Sequence, residues 1–173
     1  MQLSIRQATA QDIDAVAEIL REAARWLEER EMPMWRQAEM LPSHIVADVD
    51  SGQFFMAEYD GVPAGTIRFQ LADKLFWPDV PQHDSAFIHR LAVRRRFAGG
   101  EISSALFLWA IARTHTLGLR YLRLDCEASR ARLRAVYERI GFQFHSSKQV
   151  GPYFVARYEY DVTEISPSTR KPK

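Results

Sequence analysis

One cysteine, Cys126, in 173 residues leaves no partner for an internal disulfide, which excludes a disulfide-stapled secreted scaffold and points to a reducing compartment. Set in an apolar strand reading, Cys126 is expected to pack as a small hydrophobe rather than act as a nucleophile. Apolar runs near the roughly eighteen residues of a membrane span are missing, as is an N-terminal signal pattern. A cytoplasmic chain with no membrane partner is therefore expected. Excess charge of one sign is also lacking: 23 Lys and Arg against 22 Asp and Glu give a formal net charge of +1. The arginines are spread along the chain, so no nucleic-acid partner is expected. His44, His83, His115 and His145 show no metal-ligand spacing with cysteine or carboxylates, so no metal is expected. Neither a Gly-x-Ser-x-Gly elbow nor a P-loop lysine motif occurs.

What is present is ordinary globular material, 47% hydrophobic and 26% charged, of a length that suits one domain. Leu3 to Ala8 alternates as a strand does. Thr9 with Asp12 is a helix-start signal, and Ile13, Val16, Ala17, Leu20, Ala24 and Leu27 recur at helical spacing, predicting a helix from about Ala10 to Glu29. After the loop Met32 to Met40, Pro42 suits the first turn of a second helix that stops near Gly52. Gln53 to Tyr59 and Pro63 to Leu71 are β runs around Asp60-Gly61, a strong hairpin signal. The segment Asp73 to Ser85, with Pro78, Pro81 and Trp77, reads as a long loop of the kind that often carries function.

Ala86 to Val93 is a β run that feeds a basic turn, Arg94 to Gly100, and then a long helix in which Trp109 reads as core. Such a turn suits a polyanion. Free N–H groups of a first helical turn and the positive end of the helix dipole point at the ligand, and glycine lets the backbone come close. Gly118 ends that helix, Arg120 to Glu127 is the next strand, and a fourth helix carries Leu133, Val136, Tyr137 and Ile140 on one face before Gly141. Phe142 to Ser147 and Tyr153 to Val162 close the sheet. The polar tail 163–173 is expected to be disordered.

Arg96, Phe97, Ala98, Gly99, Gly100 and Glu101 occupy the places of the Arg/Gln-x-x-Gly-x-Gly/Ala signature, so this segment resembles the acetyl-CoA-binding turn of the GNAT superfamily of N-acetyltransferases. Glu101 stands where that family has glycine or alanine, and Ser103 where a further glycine is frequent. A second segment, Leu122 to Phe142, is similar to the family's strand-plus-helix ending in Tyr-Glu-x-x-Gly-Phe. Arg130 holds the place of a frequent asparagine that contacts the pantetheine arm.

The resemblance implies a single α/β GNAT-like domain over residues 1–162, with a mixed sheet of six or seven strands flanked by about four helices. It implies acetyl-CoA as co-substrate and direct transfer of its acetyl group to a primary amine of a small molecule or peptide N-terminus. A longer acyl donor, or a GNAT-like domain that only binds or senses acyl-CoA, is the alternative that Glu101 and Arg130 favour. Many members pair as homodimers, and no residue here obliges it. The cradle for the cofactor is expected from Leu91, Ala92 and Val93, from Arg94 and Arg96 to Gly100, and from Glu101, Ile102, Ser103 and Arg130. Tyr137 stands where the family's thiolate-protonating tyrosine is found. His89 is the expected base, since a histidine titrates near pH ~6.5, and strand alternation puts it on the face of Phe87, Leu91 and Val93. Asp84 and Glu58 are further carboxylates for the same proton. The acceptor is expected against Trp35, Glu28 and Trp77, indoles and carboxylates that suit a cationic amine.

Overall fold

Arg6 sets the entry to the first helix. Its guanidinium grips Asp12 with two hydrogen bonds of 2.7 and 2.8 Å and reaches Glu58 at 2.6 Å. Asp12 in turn accepts from the backbone N–H and the hydroxyl of Thr9, so the expected Thr9/Asp12 start signal is formed. In the computed structural model, which describes residues 2–164, the order is β1 (Leu3–Gln7), α1 (Ile13–Glu28), α2 (Pro42–Asp50), β2 (Phe54–Tyr59), β3 (Val62–Gln70), β4 (Ser85–Val93), α3 (Ile102–Thr116), β5 (Tyr121–Glu127), α4 (Ala131–Ile140), β6 (Gln143–Val150) and β7 (Tyr153–Asp161). The seven-stranded mixed sheet has the order β1-β2-β3-β4-β5-β7-β6. The Asp60-Gly61 turn joins β2 to β3 with both residues at positive φ, 51° and 78°, as a tight hairpin requires. No helix among the described residues is long and apolar enough to cross a membrane. Of the expected polar tail, Thr163 and Glu164 belong to a short 3-10 turn, and the remainder lies outside the described residues.

Residues 2–70 with 88–109 form one packing unit, and residues 71–87 with 110–164 a second; β4 and α3 contribute to both. In the first unit, Val16, Ile19 and Leu20 of α1 and Ile45 and Val49 of α2 bury against Phe54 and Met56 of β2 and Ala92 of β4. Each such side chain stabilises the fold by about 1.5–3 kcal/mol on removal from water. The opposite face takes α3: Trp109 lies 4.4 Å from Phe55 and 5.7 Å from Phe69, ring centroid to ring centroid. Gly65 makes this contact close, because a β-carbon there would meet the Ala92 carbonyl oxygen at 3.0 Å and Ile102 at 3.1 Å.

In the second unit, β5 pairs antiparallel with β7 along its whole length, and pairs parallel with β4 from Ser85–Tyr121 to Phe87–Arg123. The long loop between β3 and β4 is tied down rather than loose. Asp73 accepts from the amides of Leu75 and Phe76, and Gln82 donates to the carbonyl oxygen of Trp77. Buried Arg157 of β7 holds Asp79 through two hydrogen bonds of 2.6 and 2.9 Å and donates to the Phe76 carbonyl. Such bidentate, charge-assisted pairs are the strong ones.

Candidate active site

Between β4 and α3 the chain makes one 3-10 turn, Arg95–Phe97, and then passes through Gly99 at φ +80°. The helix proper starts when the Ala105 amide bonds the Glu101 carbonyl at 2.8 Å. Among the described residues, the amides of Gly99, Gly100 and Glu101 have no backbone acceptor, the condition that makes a helix start attractive to anions. They border an open pocket of about 510 Å³ whose walls include Arg96, Phe97, Glu101 and Ile102. Glu101 and Phe97 both belong to its lining. Tyr59, from the end of β2, adds a wall that the sequence did not announce, its ring 5.9 Å from that of Phe97.

The arginines divide into two kinds. Arg94 is largely buried and donates to Glu18 at 3.0 Å and Glu22 at 3.4 Å, both on α1. The hydrogen bond it donates to Glu18 is the main reason its pKa is raised. Glu22 also accepts from the Arg95 amide at 2.6 Å, and the Arg95 guanidinium lies over Trp26 at 4.0 Å. Arg94 was expected in the cofactor cradle; its charge is instead spent on α1, and it serves as a clamp on the turn. Arg96 is exposed, with its guanidinium 4.8 Å from the Phe97 ring centre.

β4 departs from regular alternation. Arg90 has φ 51°, an uncommon conformation for a bulky side chain and a mark of a local break in the strand. The simple alternation expected to put His89 with Leu91 and Val93 therefore does not run through residue 90. His89, Leu91 and Val93 are half-buried and Ala92 is buried in the core under α1 and α2. Glu58 and Asp84 are engaged elsewhere, by Arg6 at 2.6 Å and by the Ser85 hydroxyl at 2.6 Å.

On α4, Tyr137 is buried at 8% exposure, with ring centroids of Tyr158 and Phe142 at 5.7 and 6.3 Å. Burial drives its pKa well above the ordinary phenol value, so it holds its proton at neutral pH. Tyr158 beside it is committed: its hydroxyl accepts from Arg134 at 2.8 Å and donates to Glu138 at 2.9 Å. Burial also pushes the Cys126 thiol up to about 11, with Asp125 adding to the effect, which leaves almost no thiolate near pH 7. Arg130 precedes α4, its mostly buried side chain 4.0 Å from Glu127.

The expected acceptor residues fare differently. Trp77 is fully buried, with Arg157 at 4.6 Å and Arg123 at 5.4 Å from its ring and the His145 ring centroid at 5.2 Å. It packs the loop and presents no surface to a ligand, which corrects the expectation. Trp35 is half-buried against the α1–α2 core, and Glu28 is exposed, accepting from Gln37 at 2.6 Å.

A profile of the acetyltransferase (GNAT) family matches residues 13–142. The chain belongs to this family. The matched GNAT stretch runs from the first residue of α1 to the Phe142 that follows α4, and so contains the turn between β4 and α3 and Tyr137. Among curated proteins, the uncharacterized N-acetyltransferase YesJ of Bacillus subtilis (strain 168) is 27% identical over 164 residues, covering 90% of this chain and 88% of that protein. A GNAT-family acetyltransferase from Listeria monocytogenes 4b F2365 superposes with a TM-score of 0.77 at 24% identity, over 92% of this chain and 94% of that one. The aminoglycoside acetyltransferase AAC(6')-Ib, solved with coenzyme A and kanamycin, gives a TM-score of 0.70 at 16% identity, covering 92% and 95%. This GNAT chain is accordingly an N-acetyltransferase, and its sheet and helices are those of the fold.

Proposed function

We propose that this N-acetyltransferase moves the acetyl group of acetyl-CoA directly to the primary amine of a small molecule. The observation that carries the reading is the run of unpaired amides at the head of α3, Gly99 to Glu101, facing an open pocket. Those amides and the helix dipole suit the diphosphate of coenzyme A, with Arg96 adding an exposed positive charge. The coenzyme A and kanamycin bound by AAC(6')-Ib support the same pairing of donor and small amine.

In this reading the acceptor ammonium first gives its proton to His89, and the free amine attacks the thioester carbon. Charge gathering on the carbonyl oxygen is met by a backbone N–H of Leu91 to Val93. The carbon–sulfur bond then breaks as the attacking nitrogen gives its second proton to solvent. The departing thiolate takes a hydrogen bond and finally a proton from the Tyr137 phenol, which that solvent proton restores, so that the one proton released overall is the one held by His89. Cys126 has no part, since its thiol stays protonated, and no acyl-enzyme forms. The Glu101 carboxylate in the pocket wall supports one second reading, a domain that binds or senses acyl-CoA without turnover. Calorimetry with acetyl-CoA followed by thiol-release assays over an amine panel separates the two: binding with no thiol release from any amine would overturn the transferase reading.

A further inference from the structure

Arg90 stands out in the first packing unit. It is a non-glycine residue held at φ 51° in the middle of a strand, a conformation that costs roughly 1–3 kcal/mol and is kept where the surroundings enforce it. Its side chain is half-buried, yet among the described residues it forms no hydrogen bond or ion pair. The nearest charges are accounted for. Asp48 is engaged by Arg68 at 3.0 Å, and Arg68 also donates to Gln53 at 2.9 Å. Exposed Glu39 acts on Arg90 only through space. Burial, with Arg68 next, disfavours the Arg90 charge, so the folded chain keeps a cation whose donors it does not satisfy. A guanidinium offers five N–H donors in a planar fork that matches a carboxylate.

The position of Arg90 says what such a carboxylate belongs to. Arg90 lies four residues before Arg94, which at ~3.3 Å per residue puts it at most about 13 Å back along β4, a span on the scale of a pantetheine arm. A donor whose diphosphate occupies the turn therefore has its anionic groups at the far end, and an anion meeting Arg90 comes from the other substrate. We infer that Arg90 binds a carboxylate of the acceptor, so that the amine acetylated is one that also bears a carboxylate, as an amino acid does. The inference rests on the reading of the turn and β4 as the donor site.

The test compares amines that differ only in the carboxylate, L-phenylalanine with phenethylamine and L-lysine with cadaverine, at saturating acetyl-CoA. The wild-type chain is expected to show a KM at least about tenfold lower for the amino acid, the size of a charged hydrogen-bonded contact. Arg90→Asn suits the left-handed backbone and removes the guanidinium; it is expected to raise the amino-acid KM about tenfold more than that of the decarboxylated partner. Arg90→Lys is expected to restore part of the difference, having charge but not the fork. Melting curves and calorimetric acetyl-CoA affinity confirm that both variants fold. Equal KM values for the paired amines in the wild type, equal effects of Arg90→Asn on both, or acetylation of no amino acid by a chain that binds acetyl-CoA would each overturn the inference. Failure of the wild-type chain to bind acetyl-CoA would instead overturn the donor site itself.

Discussion

The Arg94 guanidinium and the Glu18 carboxylate lie 3.0 Å apart, so the turn that leads into α3 is fastened to α1 by a side chain that the sequence offers as a phosphate ligand. Arg94→Ala is therefore expected to lower stability by about 1 kcal/mol, since it removes the ion pairs to Glu18 and Glu22 that fasten the turn. Arg96→Ala is expected to leave the melting temperature in place and weaken acetyl-CoA binding several-fold. Parallel melting and calorimetry on the two variants check this, and equal loss of affinity without loss of stability in Arg94→Ala would refute the division.

The two glycines that shape the turn and its support are expected to fail differently. Gly65→Ala forces a β-carbon to within 3.0 Å of the Ala92 carbonyl and 3.1 Å of Ile102, and overpacking of this kind costs about 1–3 kcal/mol. Gly99→Ala meets nothing within 4 Å but must hold φ +80°, a strain of roughly 1–2 kcal/mol that the exposed turn can relieve by moving. Melting should fall in the first variant, and acetyl-CoA affinity in the second.

Tyr137→Phe is expected to cut kcat by about 100-fold, the low end for loss of a general acid, with acetyl-CoA affinity within twofold. Cys126→Ala should retain kcat within twofold, and mass spectrometry after incubation with acetyl-CoA alone should find no acetylated protein. An acetyl adduct on Cys126 would replace direct transfer with a covalent route. For His89→Ala, the acid limb of the kcat/KM profile should disappear; a retained limb removes His89 from the proton path.

Asp12 predicts how stability follows pH. Its carboxyl is held well below the ordinary 3.8 chiefly by the hydrogen bonds from Arg6, with Thr9 assisting. A depressed carboxyl stabilises the fold when ionised, so its contribution is complete above the ordinary value and fades as pH falls below it toward the folded one. The stability gap between wild type and Asp12→Asn should be widest near neutral pH and narrow below pH 4. Denaturant titrations at pH 7 and pH 3 measure it, and a constant gap would show that Asp12 acts through shape alone.

Local signals carried far in this chain. Thr9 with Asp12, Pro42, Asp60-Gly61 and Gly141 each mark an element boundary through chemistry that lies within a few residues, and each boundary formed as expected. The strand, glycine turn and helix start were legible for the same reason. What stayed hidden depends on distant partners. Arg94 is tied to Glu18 across 76 residues, and Trp77 is covered in part by Arg157, whose bond to the Phe76 carbonyl spans 81 residues. The prolines and length of the stretch around Trp77 made it read as a loop of the kind that carries function. The left-handed Arg90 carries no glycine or asparagine to announce it, and Tyr59 joins the pocket only because β2 ends near the turn. Side-chain alternation, a rule for unbroken strands, could not foresee the break.

The pinned loop between β3 and β4 also fixes where a protease would enter. Although Lys74 is exposed, the backbone beside it is held by Asp73, and Gln82 and Arg157 fasten the rest of the loop. Past α1 the chain has only exposed residues, 29–33, with Glu31 in a left-handed kink. Among the described residues, trypsin should accordingly nick first at Arg30, parting β1 and α1 from everything after them.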